Sequence, residues 1–72
     1  MNQKTETPLA VGSRVRITAI NTEFHGKIGI IKYLSRPVKD GRRGAGIVFS
    51  AEDNPEYPRQ AYWFMDHEWM AL

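Results

Sequence analysis

The sequence contains no cysteine among its 72 residues. This absence excludes a disulfide framework, a thiolate metal site and a cysteine nucleophile, and it fits a reducing cytosol. Stability therefore has to come from packing. Hydrophobic residues make up 42% of the chain, which is enough for one core in a protein this small but not for two.

The sequence also lacks an apolar run long enough to cross a membrane, and its first ten residues are polar and unlike a signal peptide. We therefore expect a cytoplasmic protein without a membrane partner. Because those ten residues offer little to bury, we predict a disordered N-terminal arm over 1–10 and one folded domain over 11–72.

Charge is low in total but uneven along the chain. The net charge is only +2, yet residues 1–46 carry nine Lys or Arg against three Asp or Glu, whereas residues 47–72 carry one against five. This distribution predicts a bipolar surface, unless antiparallel pairing interleaves the two halves.

Five segments show the alternation or the β-branched content of strands, and turn-forming residues separate them. They are 13–20, 27–34, 46–50, 60–64 and 69–72, with one turn at 65–68. Such short strands predict an all-β, antiparallel five-stranded barrel, since closure removes exposed edges. A helix over 62–70 is the competing interpretation, and periodicity leaves it open. Gly29 inside the second strand predicts a bulge or a close backbone approach.

The succession V-G-S-R-V-R-I, a loop and G-K-I-G-I-I-K-Y-L runs over residues 11–34. It resembles the KOW motif of SH3-like barrels, found in NusG-type transcription elongation factors and several ribosomal proteins. The resemblance implies turns at Gly12 and Gly26, a bend at Gly29, and core positions at Val15, Ile17, Ile31 and Leu34.

The later segments I-V-F and Y-W-F-x-x-x-E-W-x-x-L look like the closing half of such barrels. A peripheral stromal subunit of photosystem I has a similar layout, with a long loop before its final strand. Together these similarities span 11–72 and imply a small SH3-like barrel of the KOW type.

Four cations lie in the segment SRPVKDGRRGA over residues 35–45, namely Arg36, Lys39, Arg42 and Arg43. Guanidinium and ammonium groups suit phosphates or an acidic protein surface, so this loop is a candidate binding site. The alternative is a loop that is simply solvated. Arg14 and Arg16, on the outer face of the first strand, would extend the patch if the fold brings them near it.

Aromatic residues are concentrated near the C-terminus. Alternation in the fourth strand places Tyr62 and Phe64 on one face and Trp63 on the other, and one of these faces must be core. If exposed, Trp63 and Tyr57 are candidate stacking platforms for bases or anchors for a protein partner.

Evidence for catalysis is sparse. Asp66, His67 and Glu68 form a polar trio that could be combined with His25, but neighbouring strand positions point apart and the spacing is not that of a metal site. The sequence contains no nucleophile elbow, phosphate loop or H-E-x-x-H motif. We therefore expect no catalytic residues, no metal and no cofactor.

The resemblance and the basic loop favour a monomeric, non-enzymatic binding module that regulates transcription. Its expected partner is a protein complex, RNA polymerase or a ribosome-associated assembly, and RNA is the possible nucleic-acid ligand. A lone barrel of this size would suit an accessory factor, such as one encoded by a phage. One alternative is a protein-docking subunit without nucleic-acid contact. Another is an enzyme assembled from several copies.

Overall fold

A computed structural model of the protein describes residues 10–37, 39 and 41–72. It contains five strands in one antiparallel sheet of order β4-β3-β2-β1-β5, so the last strand pairs with the first. Their bounds are β1 Arg14–Ile17, β2 Ile28–Leu34, β3 Gly44–Phe49, β4 Ala61–Met65 and β5 Trp69–Ala71, with a single 3-10 turn at Asp66–Glu68. The all-β, five-stranded antiparallel prediction is confirmed. The predicted N-terminal arm lies, apart from Ala10, outside the described residues.

The competing helix over 62–70 is wrong. Strand β4 runs through Met65, and only the three residues Asp66–Glu68 turn before β5 begins at Trp69. The Glu68 carboxylate accepts the Met65 N–H at 2.8 Å and so closes this turn. Because β5 continues directly from the turn, the chain returns to pair with β1 without a long connection.

The core forms on the inner face of the sheet, as alternation in β1 predicts. Val15 and Ile17 are fully buried, whereas Arg14 and Arg16 between them are exposed. The remaining buried hydrophobic residues are Phe24, Ile31, Ala45, Ile47, Phe49, Phe64 and Trp69. Leu34 and Tyr62 are partly buried against them. The core positions that the KOW resemblance implied therefore face this interior.

Phe24 comes from the loop between β1 and β2, a segment of turn formers that the sequence predicts as a loop without a core residue. Its ring stacks on Phe49 with centroids 4.1 Å apart and planes 3° apart, and it also contacts the ring of Tyr62. The neck of this loop is closed by the Gly26 N–H, which donates to the Ile17 carbonyl at 2.8 Å. Gly26 has a φ of +79°, a conformation that favours glycine. The loop thus covers one end of the core.

Gly29 allows a close approach and not a bulge. It pairs regularly with Val15 on one side and Phe49 on the other. A Cβ at this position would overlap the Cγ2 of Ile47 and would lie 3.1 Å from the Val48 carbonyl. The irregularity in β2 falls later, between Ile31 and Tyr33. The predicted bulge at Gly29 is therefore wrong, whereas the predicted close approach is confirmed.

Candidate functional site

The basic loop, residues 35–43, joins β2 to β3 and has a firmly closed base. The Ser35 N–H donates to the Gly44 carbonyl at 2.9 Å, and the Gly44 N–H donates to the Ser35 hydroxyl at 2.9 Å. On the other side, the Arg43 N–H donates to the Asp66 carboxylate at 3.0 Å, and the Asp66 N–H donates to the Arg43 carbonyl at 2.9 Å. These pairs fix where the loop leaves the sheet.

The four predicted cations of the basic loop do not have equal access to a ligand. Arg36, Lys39 and Arg42 are exposed, and Arg43 is only half-exposed. The Nε of Arg43 is buried and, among the described residues, has no hydrogen-bond acceptor. Within 10–37, 39 and 41–72, no carboxylate forms an ion pair with Arg36 or Lys39. These two side chains are thus available to an anion, whereas Arg43 belongs partly to the base of the loop.

Two exposed aromatic rings lie beside the basic loop on the outer face of the sheet. Tyr33 pairs with Gly46, and Gly46 pairs with Trp63, so the three residues form one row across β2, β3 and β4. Tyr33 is 57% exposed and Trp63 is 59% exposed. Tyr33, at one end of the row, is the residue before Leu34, where β2 ends and the basic loop follows. We call Tyr33, Gly44, Gly46 and Trp63 the aromatic face.

The glycines of β3 make room for these rings. A Cβ on Gly44 would overlap the Trp63 indole, and a Cβ on Gly46 would lie 2.9 Å from Cδ2 of Tyr33. The Cα atoms of Tyr33 and Trp63 are about 10 Å apart, since two strand spacings separate them. Lys32 adds a cation, with its Nζ 5.9 Å from the centroid of the Tyr33 ring. The aromatic face is therefore a low, apolar platform with positive charge at its border.

Trp63 lies on the face opposite Phe64, as alternation predicts, and it is exposed. Tyr33 was missed because alternation counted from buried Ile31 points it inward. The register shift after Ile31 leaves both Lys32 and Tyr33 exposed. The sequence gives no signal for this register shift, because neither Lys32 nor Tyr33 is a glycine or a proline.

The remaining predicted residues lie away from this face. Tyr57 is 56% exposed, but it belongs to the 50–60 loop, at the opposite end of β3 from the basic loop. Arg14 lies opposite Ile30 and Arg16 lies opposite Ile28. At the rise of an extended strand, Ile30 and Ile28 are about 13 and 20 Å from Leu34, where the basic loop starts. The fold therefore does not bring Arg14 and Arg16 into the loop's patch.

The outer face also contains a groove of about 590 Å³ at the other end of β2. Aliphatic side chains of β2 and β3 line it together with the chain before β1 and part of the 50–60 loop. Its lining includes Arg14, Lys32 and Arg59 but no Asp or Glu. The groove was not predicted, because it needs residues from four separate segments.

The polar trio after β4 is engaged in local structure. Asp66 holds the Arg43 N–H and Glu68 holds the Met65 N–H, while Nδ1 of His25 is 3.0 Å from the Ala19 carbonyl. In the part of the chain that the structure describes, no three His, Asp or Glu side chains are grouped so that they could hold a metal ion. Nor do the described residues include a helix of sufficient length and apolarity to cross a membrane.

Comparison with protein families and with other proteins gives no match. No family model matches the chain, and neither the curated proteins nor the solved structures yield a significant similarity. The aromatic face, the basic loop and the groove are therefore the features from which a function can be inferred.

Proposed function

We propose that this chain is a non-catalytic SH3-like barrel of the KOW type that docks on the transcription machinery by binding single-stranded RNA. Its RNA-binding surface consists of the aromatic face and the basic loop. The strand order β4-β3-β2-β1-β5 supports the barrel, because pairing of β5 with β1 is what a nearly closed sheet of five strands requires. The KOW-like segment over 11–34 supports the choice of the transcription machinery.

The observation that carries the proposal is the pair of exposed rings next to the basic loop. Large aromatic side chains are usually buried, yet Tyr33 and Trp63 expose more than half of their surface. Unpaired bases stack on such rings, and each stack contributes about 1–3 kcal/mol to binding. Phosphates between the bases would be neutralised by exposed Arg36 and Lys39. Rings and cations together form the surface that proteins use to bind single strands.

The platform suits a single strand better than a duplex. In a duplex the faces of the bases are stacked on each other, so an aromatic ring cannot reach them. The aromatic face is low and lies on glycine backbone at Gly44 and Gly46, which leaves both rings open to an unstacked base. Stacking and phosphate contacts read little sequence, so we expect binding with weak sequence preference.

Fluorescence anisotropy with a labelled twelve-nucleotide uridine RNA tests the proposal. We expect Tyr33→Ala and Trp63→Ala each to weaken binding about 5- to 150-fold, which corresponds to the 1–3 kcal/mol of one stacked base. Tyr57→Ala is the matched control, because Tyr57 is equally exposed but lies on the 50–60 loop. We expect it to bind within about 2-fold of wild type, since no stacked base is lost.

The cations are tested by the salt dependence of the same binding. Losing Arg36 and Lys39 together should lower the slope of log affinity against log salt by about 1.4, since each phosphate contact with a single strand contributes roughly 0.7. Arg36→Ala with Lys39→Ala is preferable to changes at Arg42 and Arg43. Arg43→Glu would place a second carboxylate beside Asp66 and disturb the base of the loop, so weaker RNA binding by that variant would not measure the loss of a phosphate contact.

Two results would contradict RNA binding. One is that the uridine RNA does not bind even at low salt. The other is that Trp63→Ala and Tyr57→Ala weaken RNA binding equally. A nuclease-resistant pull-down of a protein complex, combined with either result, would favour the alternative of a protein-docking subunit without nucleic-acid contact. The enzyme built from several copies requires an oligomer, so a monomeric sedimentation profile would exclude it.

A further inference from the structure

The groove at the far end of the outer face has an aliphatic floor and a cationic rim. Its accessible apolar side chains are Val11, Ile28, Ile30, Val48 and Pro58, and the lining also includes the buried Ile31 and Phe49. Val11 is 65% exposed and Ile30 is 50% exposed, so the floor is open to solvent. Contiguous exposed apolar surface of this kind marks sites of interaction more often than isolated exposed residues do.

Three cations stand at the rim, and they come from three different segments. Arg14 belongs to β1, Lys32 to β2 and Arg59 to the 50–60 loop. None of these three cations forms an ion pair with a carboxylate of the described residues. The ion pair found among those residues joins Lys27 to Asp53 at 3.4 Å. The groove therefore combines apolar contact area with positive charge that no described carboxylate neutralises.

We propose that this groove binds an extended segment of a partner protein that presents aliphatic and acidic side chains on the same face. Ile28 and Ile30 are two residues apart on β2, so they are about 6.7 Å apart and project from the same face. Alternate side chains of an extended peptide have the same spacing. Aliphatic side chains of the segment would lie on this floor, and carboxylates two residues before or after them, which project from the same face, would reach Arg14 and Arg59.

RNA does not fit this groove. The one aromatic residue of its lining, Phe49, is 2% exposed, so the groove offers no ring on which a base could stack.

A symmetric contact between two copies of the chain does not fit the groove either. Such a contact places the same patch against itself, which would bring the rim cations of both copies together. Carboxylates on a different protein satisfy the same cations. The proposal does not depend on RNA binding by the aromatic face.

Arrays of eight-residue peptides test the proposal. In one array Leu, Ile, Val or Phe occupies positions 4 and 6 and Glu occupies positions 2 and 8, so that all four side chains share one face, and in the matched array Lys replaces Glu. We expect the labelled full chain to bind members of the acidic array and none of the basic array. Amide signals of Ile30 and Val48 should shift when the best acidic peptide is added in solution, with those of Tyr33 and Trp63 little changed.

Matched variants of the protein separate the groove from general charge and hydrophobicity. We expect Arg14→Glu to weaken binding of that peptide at least 10-fold. Arg16→Glu should change it less than 2-fold, because Arg16 is on the same face of β1 but outside the groove. Ile30→Ser should weaken binding at least 5-fold, whereas Ile20→Ser, at an 86% exposed position outside the groove, should not. Circular dichroism melting of each variant establishes that it is folded.

Four results would overturn the proposal. They are absence of binding to the acidic array, equal binding of the basic array, equal effects of Arg14→Glu and Arg16→Glu, and a shift of groove amides by the uridine RNA in place of the peptide. A concentration-dependent dimer that Ile30→Ser abolishes would assign the groove to a second copy. The first three results do not bear on stacking at Trp63, so the groove proposal can fail while RNA binding by the aromatic face stands.

Discussion

Gly29→Ala should destabilise the protein, because the strand that carries Gly29 lies directly against the core. The new Cβ would overlap Ile47 and would lie 3.1 Å from both Phe49 and the Val48 carbonyl. Ile47 is 0% exposed and Phe49 is 2% exposed, so neither side chain can move into solvent. Overpacking of this kind costs about 1–3 kcal/mol. Alanine recovers about 0.5–1 kcal/mol of the backbone entropy that glycine loses on folding.

These two opposing effects leave a loss of about 0–2.5 kcal/mol in the free energy of unfolding, and we expect a value near the middle, about 1.3 kcal/mol. For a domain of this size the melting temperature should then fall by about 5–10 °C. Thermal denaturation followed by circular dichroism and urea denaturation of the same variant measure both quantities. Gly46→Ala is the matched control. Its closest neighbour is the half-exposed ring of Tyr33, which can move aside, so the backbone-entropy gain of about 0.5–1 kcal/mol is not outweighed by core overpacking and we expect no loss of stability.

A double-mutant cycle with Ile47→Ala tests the assigned contact itself. Ile47→Ala alone should cost about 2–5 kcal/mol, because it opens a cavity in the core. The Cβ of alanine at position 29 would enter that cavity, so the double variant should be more stable than the sum of the two losses by about 1 kcal/mol. Additive losses would show that position 29 does not meet Ile47 and that the register of β2 against β3 is wrong.

Two further predictions concern polar contacts. Asp66→Ala should lower the free energy of unfolding by about 1–3 kcal/mol, because it leaves the part-buried Arg43 N–H without its acceptor. Asp66→Asn keeps an acceptor oxygen and should lower it less. Equal losses for the two variants in urea denaturation would contradict this role of Asp66. The Nζ of Lys27 is 3.4 Å from Oδ1 of Asp53, and the two side chains are 47% and 28% exposed. Because solvent screens such a pair, a double-mutant cycle should give a coupling energy below about 1 kcal/mol, and a larger value would contradict this screening.

The order and the approximate bounds of the strands follow from the sequence because their signals are local. The second strand was predicted over 27–34 and runs over Ile28–Leu34. The first was predicted to continue to Ile20 but ends at Ile17. Its continuation is prevented by a distant segment, since the Thr18 and Ala19 N–H groups donate to the Glu68 carbonyl at 2.9 and 3.2 Å. Ile20 is 86% exposed, so its apolar character gave a misleading signal.

The candidate site was only partly predictable, because its geometry depends on contacts between distant segments. Alternation within β4 places Trp63 and Phe64 on opposite faces, and the burial of Phe64 decides that Trp63 is the exposed one. Exposure of Tyr33 depends on a register shift that arises where β2 pairs with β3. The closed base of the basic loop at Arg43 depends on Asp66, which is 23 residues later in the chain. Phe24 was overlooked because a loop sequence gives no periodicity from which burial can be inferred.

Only part of the uneven charge of the sequence becomes an uneven charge in space, because Asp66 lies against Arg43 and Asp53 pairs with Lys27. The part that remains separated depends on the way β3 runs. This strand leaves the basic loop at Gly44 and ends at Phe49, where the 50–60 loop carries Glu52, Asp53 and Glu56. Its six residues separate the two loops by roughly 17 Å. The Debye length at physiological salt is about 8 Å, so the carboxylates of one loop scarcely weaken the field of the other. An RNA strand near the aromatic face would therefore be attracted by Arg36 and Lys39 almost as if the acidic loop were absent.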